Sequence, residues 1–354
     1  MWVAGISWDA DGWDLVILDT AGDQAVAPRR YGLAERASLL AHVAGLAGQP
    51  DVRLVVVVDS TNGLIDRSLI EAGVEVARAD PWDLPPRTGM GSVPARALAL
   101  AGRDRLPSLA RLSVPSGTMH GRDAERSPGA DDGAGLAARL SREGRYLTRG
   151  PGSQPEVALT FDDGPDPRYT PRVLETLDRY RVTATFFCVG AAARAHPELL
   201  ARAADAGHQI ANHTWSHPYL PDLSHDEVRW QVAATGSALT AAAGQAAAPG
   251  LVRPPYGAYT PEVLGWLAGQ GATTVLWDVD TGDWQLPGPD AIAAQAVRGA
   301  RNGSIVLLHD GGGDRTQTAA ALPAAIEGLL DRGFRLVTVA QLAGPSADGP
   351  GPGR

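Results

Sequence analysis

Lysine is absent from this 354-residue chain: all 31 basic side chains are arginine, a bias that fits codon usage in a GC-rich genome better than any chemical requirement. Cysteine is nearly absent too. The one thiol, Cys188, excludes an internal disulfide and a Cys-based zinc site. It stands in the apolar run Thr185-Phe186-Phe187-Cys188-Val189, where a free Cys is expected in the core. No segment reaches the roughly 20 apolar residues of a membrane helix. Residues 1–20 lack the basic start and apolar stretch of a secretory signal, so the chain as written is expected in the cytoplasm. Positive charge is in deficit: the 40 Asp and Glu leave a net charge of -9, which speaks against general nucleic-acid affinity.

What is present is the composition of a packed protein, 44% hydrophobic and 20% charged, at a length that suits two domains. Over 1–115 the pattern predicts a hairpin (2–8 and 13–19), helices at 35–46 and 65–72, and strands at 54–58 and 74–77, together a small α/β domain. Residues 116–150, rich in Gly, Ser, Asp and Arg, read as a flexible linker with one short helix at 136–143. Over 151–345, strands at 157–161, 184–189, 209–212, 250–253, 273–278, 304–308 and 335–339 alternate with six helices, at 170–180, 197–206, 224–243, 261–270, 291–300 and 318–332. Thr170-Pro171 and Thr260-Pro261 read as N-cap and N1, and Gly207 and Gly333 as C′ glycines. This rhythm predicts parallel strands with right-handed crossovers, in a distorted (β/α) barrel of about seven strands with its chemistry at their carboxyl ends. Residues 346–354 read as a disordered tail.

Five segments fall at those ends. Leu159-Thr160-Phe161-Asp162-Asp163-Gly164-Pro165 puts two adjacent acids before a Gly-Pro turn. Neighbours on a strand point to opposite faces, but a turn at the strand's end can bring both carboxylates into one pocket, where a cation lets both stay ionised. Asn212-His213-Thr214-Trp215-Ser216-His217 spaces two imidazoles four apart, as on one side of a helical turn. With Asp163 they make a His₂-carboxylate set that leaves a position for water. Arg253-Pro254-Pro255-Tyr256-Gly257 holds an arginine that can fork onto a carboxylate. Asp278-Val279-Asp280-Thr281-Gly282-Asp283-Trp284 is an acidic turn, and Ile305-Val306-Leu307-Leu308-His309-Asp310 ends a buried strand in a histidine. With Asp283 in reach, His309 is a candidate general acid. His208 reads as a packing or loop hydrogen-bonding residue, and His196 and His225 as surface or capping residues at helix starts.

In this order the five segments resemble the motifs of the polysaccharide deacetylase family, the carbohydrate esterases of family 4 with a NodB homology domain, over about 155–345. The resemblance implies that Asp163, His213 and His217 hold a divalent metal, usually zinc. It implies that Asp162 is the base for the attacking water, oriented by Arg253, and that the Tyr256 backbone N–H helps hold the oxyanion. His309 would protonate the departing amine, kept cationic by Asp283, and Trp284 and Leu307 would wall an acetyl pocket, with Pro255 also lining the substrate. The implied substrate is an N-acetylated sugar of peptidoglycan or chitin type, and the family also supplies an exported or cell-surface location as the alternative to the cytoplasm.

Residues 1–80 resemble the RNase H-like domain of insertion-sequence transposases in Val3-Ala4-Gly5-Ile6-Ser7-Trp8 and Val57-Val58-Asp59-Ser60-Thr61-Asn62-Gly63-Leu64. Ser7 stands where a first catalytic acid would fall and no later acid is found near 92–100, so a degenerate domain is expected rather than a nuclease. Three other readings remain for the whole chain. One is the same fold acting on another linear C–N bond, of a small amide or a formylated sugar. The others are a nucleic-acid-associated protein and a silent sugar-binding module.

Overall fold

The structure, a computed structural model, describes residues 1–87, 90–113 and 130–344. The expected tail at 346–354 and the first part of the expected linker lie outside these residues. The chain divides into two compact units: Met1–Ser127 with Ser216–Trp230 and Gly312–Asp314, and the remainder.

The first unit carries β1 (Trp2–Asp9), β2 (Gly12–Leu18), β3 (Gln24–Gly32), α1 (Arg36–Ala47), β4 (Leu54–Asp59), α2 (Asp66–Glu71), β5 (Glu75–Ala79), α3 (Ala95–Arg105) and β6 (Ala110–Arg111). They form one sheet of order β3-β2-β1-β4-β5-β6. The predicted hairpin is present, closed by Asp9, whose Oδ1 accepts the N–H groups of Asp11 and Gly12. Three elements have no counterpart in the sequence pattern: β3, α3 and the two-residue β6. β3 is an exposed edge strand with Pro28 inside it, so it shows no apolar alternation. α3 covers 95–105 and packs on β1. At the end of β4, Asp59 is buried, and its carboxylate accepts from Thr61 N–H and Oγ1, Ser92 Oγ and Val93 N–H.

The second unit holds α4 (Ala130–Arg142), β7 (Tyr146–Leu147), β8 (Glu156–Asp162), α5 (Thr170–Tyr180), β9 (Thr185–Cys188), α6 (Gly190–Ala195), α7 (Pro197–Asp205), β10 (Gln209–Asn212) and most of α8 (His225–Ala243). It continues through β11 (Ala247–Val252), α9 (Pro261–Gly269), β12 (Thr273–Val275), β13 (Val279–Asp280), α10 (Pro289–Gly299), β14 (Ser304–His309), α11 (Thr316–Asp331), β15 (Arg335–Leu336) and α12 (Val339–Ala343). The linker expected over 116–150 therefore gives way from residue 130 to a long helix and a paired strand.

The sheet is parallel and nine-stranded, of order β13-β14-β8-β9-β10-β11-β12-β7, with β15 beside β8. It is a curled half-barrel, in line with the expected distorted (β/α) barrel, with nine strands in place of about seven. The strand expected over 273–278 stops at Val275 as β12, next to the end strand β7, and the chain resumes at Val279 as β13, the strand at the other end. Between them, Leu276 N–H donates to Leu147 O and Asp278 N–H to Ile305 O, so the chain steps from one end of the sheet to the other. Three residues span at most about 10 Å, and the sheet must curl to allow it. The strand expected over 335–339 also ends early: Thr338 and Gln341 form a capping box that starts α12.

Alternation along the strands positions the site. Leu159 and Phe161 of β8, Phe186 and Cys188 of β9, and Val306 and Leu308 of β14 face the helices in one large core, and Cys188 is buried there as expected. Ala158, Phe187 and Ile305 face the inside of the curl in a second core. By the two-residue period, Thr160 and Asp162 on β8, and Leu307 and His309 on β14, point inward. Register then sets Asp162 opposite both His309 and Phe187.

Candidate active site

Asp162 is the last residue of β8 and is buried. Its Oδ1 accepts from Arg253 Nη1 at 2.6 Å. Arg253, just beyond β11, is fully buried with its guanidinium on the Phe187 ring, 3.9 Å from the centroid. The fork expected on one carboxylate is distributed: Nη1 also donates to Thr160 Oγ1 (2.9 Å), Nε to Val275 O (3.2 Å) and Nη2 to Leu276 O (3.1 Å). Thr160 in turn donates to Val306 O. Burial lowers the Arg253 pKa despite Asp162, but arginine starts so high that it stays charged. This pair ties β8, β11 and the chain after β12 together around one carboxylate.

Asp163 leaves the strand with φ 72°, a left-handed backbone that turns its side chain toward the same space as its neighbour's. His213 Nε2 lies 3.4 Å from Asp163 Oδ1 and 3.7 Å from Asp162 Oδ2. The other nitrogen, Nδ1, bonds the carbonyl oxygen of Arg253 at 2.8 Å. A carbonyl only accepts, so Nδ1 carries the proton. Nε2 is thereby the ring nitrogen that faces both carboxylates, where it can serve a cation as ligand. His217 completes the set: ligand atoms of Asp163, His213 and His217 all lie within 4.8 Å of one another. Two imidazoles and one carboxylate suit a catalytic divalent metal with open coordination positions. The segment is not the helical turn its spacing suggested. Thr214 and His217 have φ of 67° and 55°, and Asn212 folds it by accepting from Thr214 N–H and donating to Val232 O. Left-handed residues break a helix, yet both imidazoles converge.

The third group is Asp283 with His309. Asp283 is fully buried, and its Oδ1 meets His309 Nδ1 at 2.7 Å. Oδ2 accepts from His309 N–H and from Thr318 Oγ1. Burial works against a charged imidazole, but the Asp283 carboxylate outweighs it, and the His309 pKa is raised. Burial likewise opposes the Asp283 charge, but His309 prevails and the Asp283 pKa is lowered. The pair favours an imidazolium, with Nε2 left as the donor.

The remaining predicted residues lie close by in the chain. Leu307 is buried on β14, its carbonyl accepting from Thr281 Oγ1. Trp284 follows Asp283 and is half-buried, Pro255 is buried, and Tyr256 has φ 61°. Asp278 serves the sheet instead, accepting from Ile305 N–H and Ser304 Oγ. Left-handed conformations at Asp163, Thr214, His217 and Tyr256 are the kind of strain that collects at functional sites. Thr160 and Thr318 went unpredicted, since a lone threonine carries no sequence signal for a bond to an arginine or an aspartate far along the chain. His208 is buried with its ring edge-on to Phe186, accepting from Ala184 N–H through Nδ1.

The family model for polysaccharide deacetylases matches residues 149–275. The chain is 41% identical over 207 residues to a chitooligosaccharide deacetylase of Sinorhizobium fredii, covering 56% of this chain and 96% of that protein. It is 39% identical over 209 residues to a peptidoglycan-N-acetylglucosamine deacetylase of Bacillus cereus, covering 58% and 97%. Among solved structures it is similar to a peptidoglycan N-acetylglucosamine deacetylase in complex with 4-naphthalen-1-yl-N-oxidanyl-benzamide, with TM-score 0.55, 38% identity, and 58% and 95% of the two chains covered. With most of each relative's length covered at about 40% identity and the five motifs grouped at one sheet end, the chain belongs to the polysaccharide deacetylase family of carbohydrate esterases, family 4, through its NodB homology domain.

Proposed function

We propose that this protein is a divalent-metal-dependent hydrolase that removes acetyl groups from N-acetylated sugars, in oligosaccharides of the chitin or peptidoglycan type. The observation that carries the reading is the meeting of three pairings at adjacent strand ends: Asp162 with Arg253, Asp163 with His213, and Asp283 with His309. Zinc is the cation that two imidazoles and a carboxylate suit best, and Asp163, His213 and His217 would hold it. When bound, it supplies a Lewis acid that polarises the acetamide carbonyl and makes water a better nucleophile.

The chain's own groups do the rest. Asp162, positioned by Arg253, accepts a proton from water as the water oxygen bonds to the carbonyl carbon. The Tyr256 N–H donates to the developing oxyanion. His309, protonated and oriented by Asp283, donates its Nε2 proton to the sugar nitrogen as the C–N bond breaks. Acetate and a free amine leave. Pro255, Trp284 and Leu307 would line the space for the acetyl group and the sugar.

The test is acetate release from N-acetylglucosamine oligomers by zinc-loaded protein. The expected outcome is release that falls by about 10²–10⁴-fold in Asp162→Asn. Protein that holds its metal yet releases no acetate from any glycan would overturn the sugar reading and point to another linear amide.

A further inference from the structure

We propose that Asp310 is a positioning residue for the metal-binding turn: its buried carboxylate, seated against Gly164 and taking the hydrogen bond of Thr170, holds the backbone that aims Asp163. The inference rests on the reading of Asp163 as a metal ligand, and it concerns a residue outside the ligand set. Asp163 sits in a left-handed conformation that a non-glycine residue adopts only when its surroundings enforce it. The enforcing contacts converge on Asp310. Its N–H donates to Asp162 O at 3.1 Å, one step beyond the β14–β8 register. Its Oδ2 accepts from Thr170 Oγ1 at 2.5 Å, and Thr170 is the first residue of α5. The same Thr170 oxygen accepts from Asp166 N–H at 2.8 Å. Asp310 thus ties the start of the 163–169 loop through its backbone N–H and the end through its carboxylate.

The fit leaves no room on the near side. Gly164 faces the Asp310 carboxylate so closely that a Cβ there would collide with it, and a Cβ on Gly311 would strike the Asp163 carbonyl. From the other direction Gly164 O accepts from Val189 N–H at 2.9 Å. Asp310 is 1% exposed. Thr170, which the sequence pattern assigns to an N-cap, spends its hydroxyl on this carboxylate; Tyr169 occupies the cap position without a side-chain bond.

The test measures zinc affinity of the full-length protein by competition with a chromophoric chelator, so that its readout does not depend on the substrate. Asp310→Ala and Thr170→Val are expected to weaken zinc binding by about 10–100-fold, as loss of an outer-shell contact does. Asp310→Asn keeps an oxygen acceptor for Thr170 and is expected within about 3-fold of wild type. Should Asp310→Ala fail to fold, Thr170→Val decides, because it keeps the side-chain shape and removes the hydroxyl that links Asp310 to Asp166 N–H at the loop's end. Folded Thr170→Val with wild-type zinc affinity overturns the positioning role while leaving the metal reading intact. Asp310→Asn as weak as Asp310→Ala overturns it equally, since the acceptor would not be what matters. A wild type that binds no zinc overturns both readings together.

Discussion

Each residue at this site is tuned by a partner that the chain brings from far away. His309 is the clearest case. Its raised pKa keeps the imidazolium present below that value and loses it as pH rises through it. In Asp283→Asn the compensating charge is gone, while burial and the nearby Arg315 charge still disfavour the cation. The His309 pKa should then drop, and the alkaline limb of the kcat/KM profile should move to lower pH. An unchanged alkaline limb would remove His309 from the role of acid. Arg253→Met makes a different prediction. It leaves the buried Asp162 carboxylate without its cation and should destabilise the fold by about 3–5 kcal/mol, read from denaturant unfolding. Most of these residues were legible from their motifs. Thr160, Thr318 and the linkage of Thr170 to Asp310 were not, because hydrogen bonds such as the last join positions 140 apart.

At the scale of elements, local chemistry served well where it was sufficient. Thr260 caps α9 as expected, accepting from Val263 N–H, and Gly207 and Gly333 take φ of 82° and 81° after their helices. The same Thr-Pro signal misassigned Thr170, because a buried carboxylate competes for its hydroxyl. Exposed β3 and the short β7 escaped notice, since neither carries an apolar period. His208, between α7 and β10, yields an element-level prediction. Burial pushes its pKa down to about 4, so the unfolded chain takes up a proton near pH 6.5 that the folded chain refuses. Its contribution is complete above that range and lost as pH falls toward about 4, up to about 3 kcal/mol. His208→Leu should flatten this acid limb in a melting temperature series from pH 7 to pH 4. A wild-type curve already flat there would contradict the burial argument.

At the scale of the molecule, the metal reading has a thermodynamic consequence. A ligand that binds only the folded state stabilises it by mass action, about 2.7 kcal/mol at 100 times its Kd. Removing zinc with a chelator should lower the melting temperature, and zinc should restore it; a double variant His213→Ala and His217→Ala should not respond. Among the described residues no helix is long and apolar enough to cross a membrane, in keeping with the sequence. The sequence by itself determined which residues the proposed site draws on, because each motif is a short contiguous string that can be read without the fold. It also determined the strand–helix rhythm, which follows from periodicity. Only the tertiary structure decided that 273–280 splits between one end strand of the sheet and the strand next to the other end, and that Arg253 spreads its donors over four acceptors. It alone decided that Asp163 turns left-handed toward His213. Those outcomes depend on which distant groups compete for the same donor or the same space, and that competition exists only once the sheet has curled.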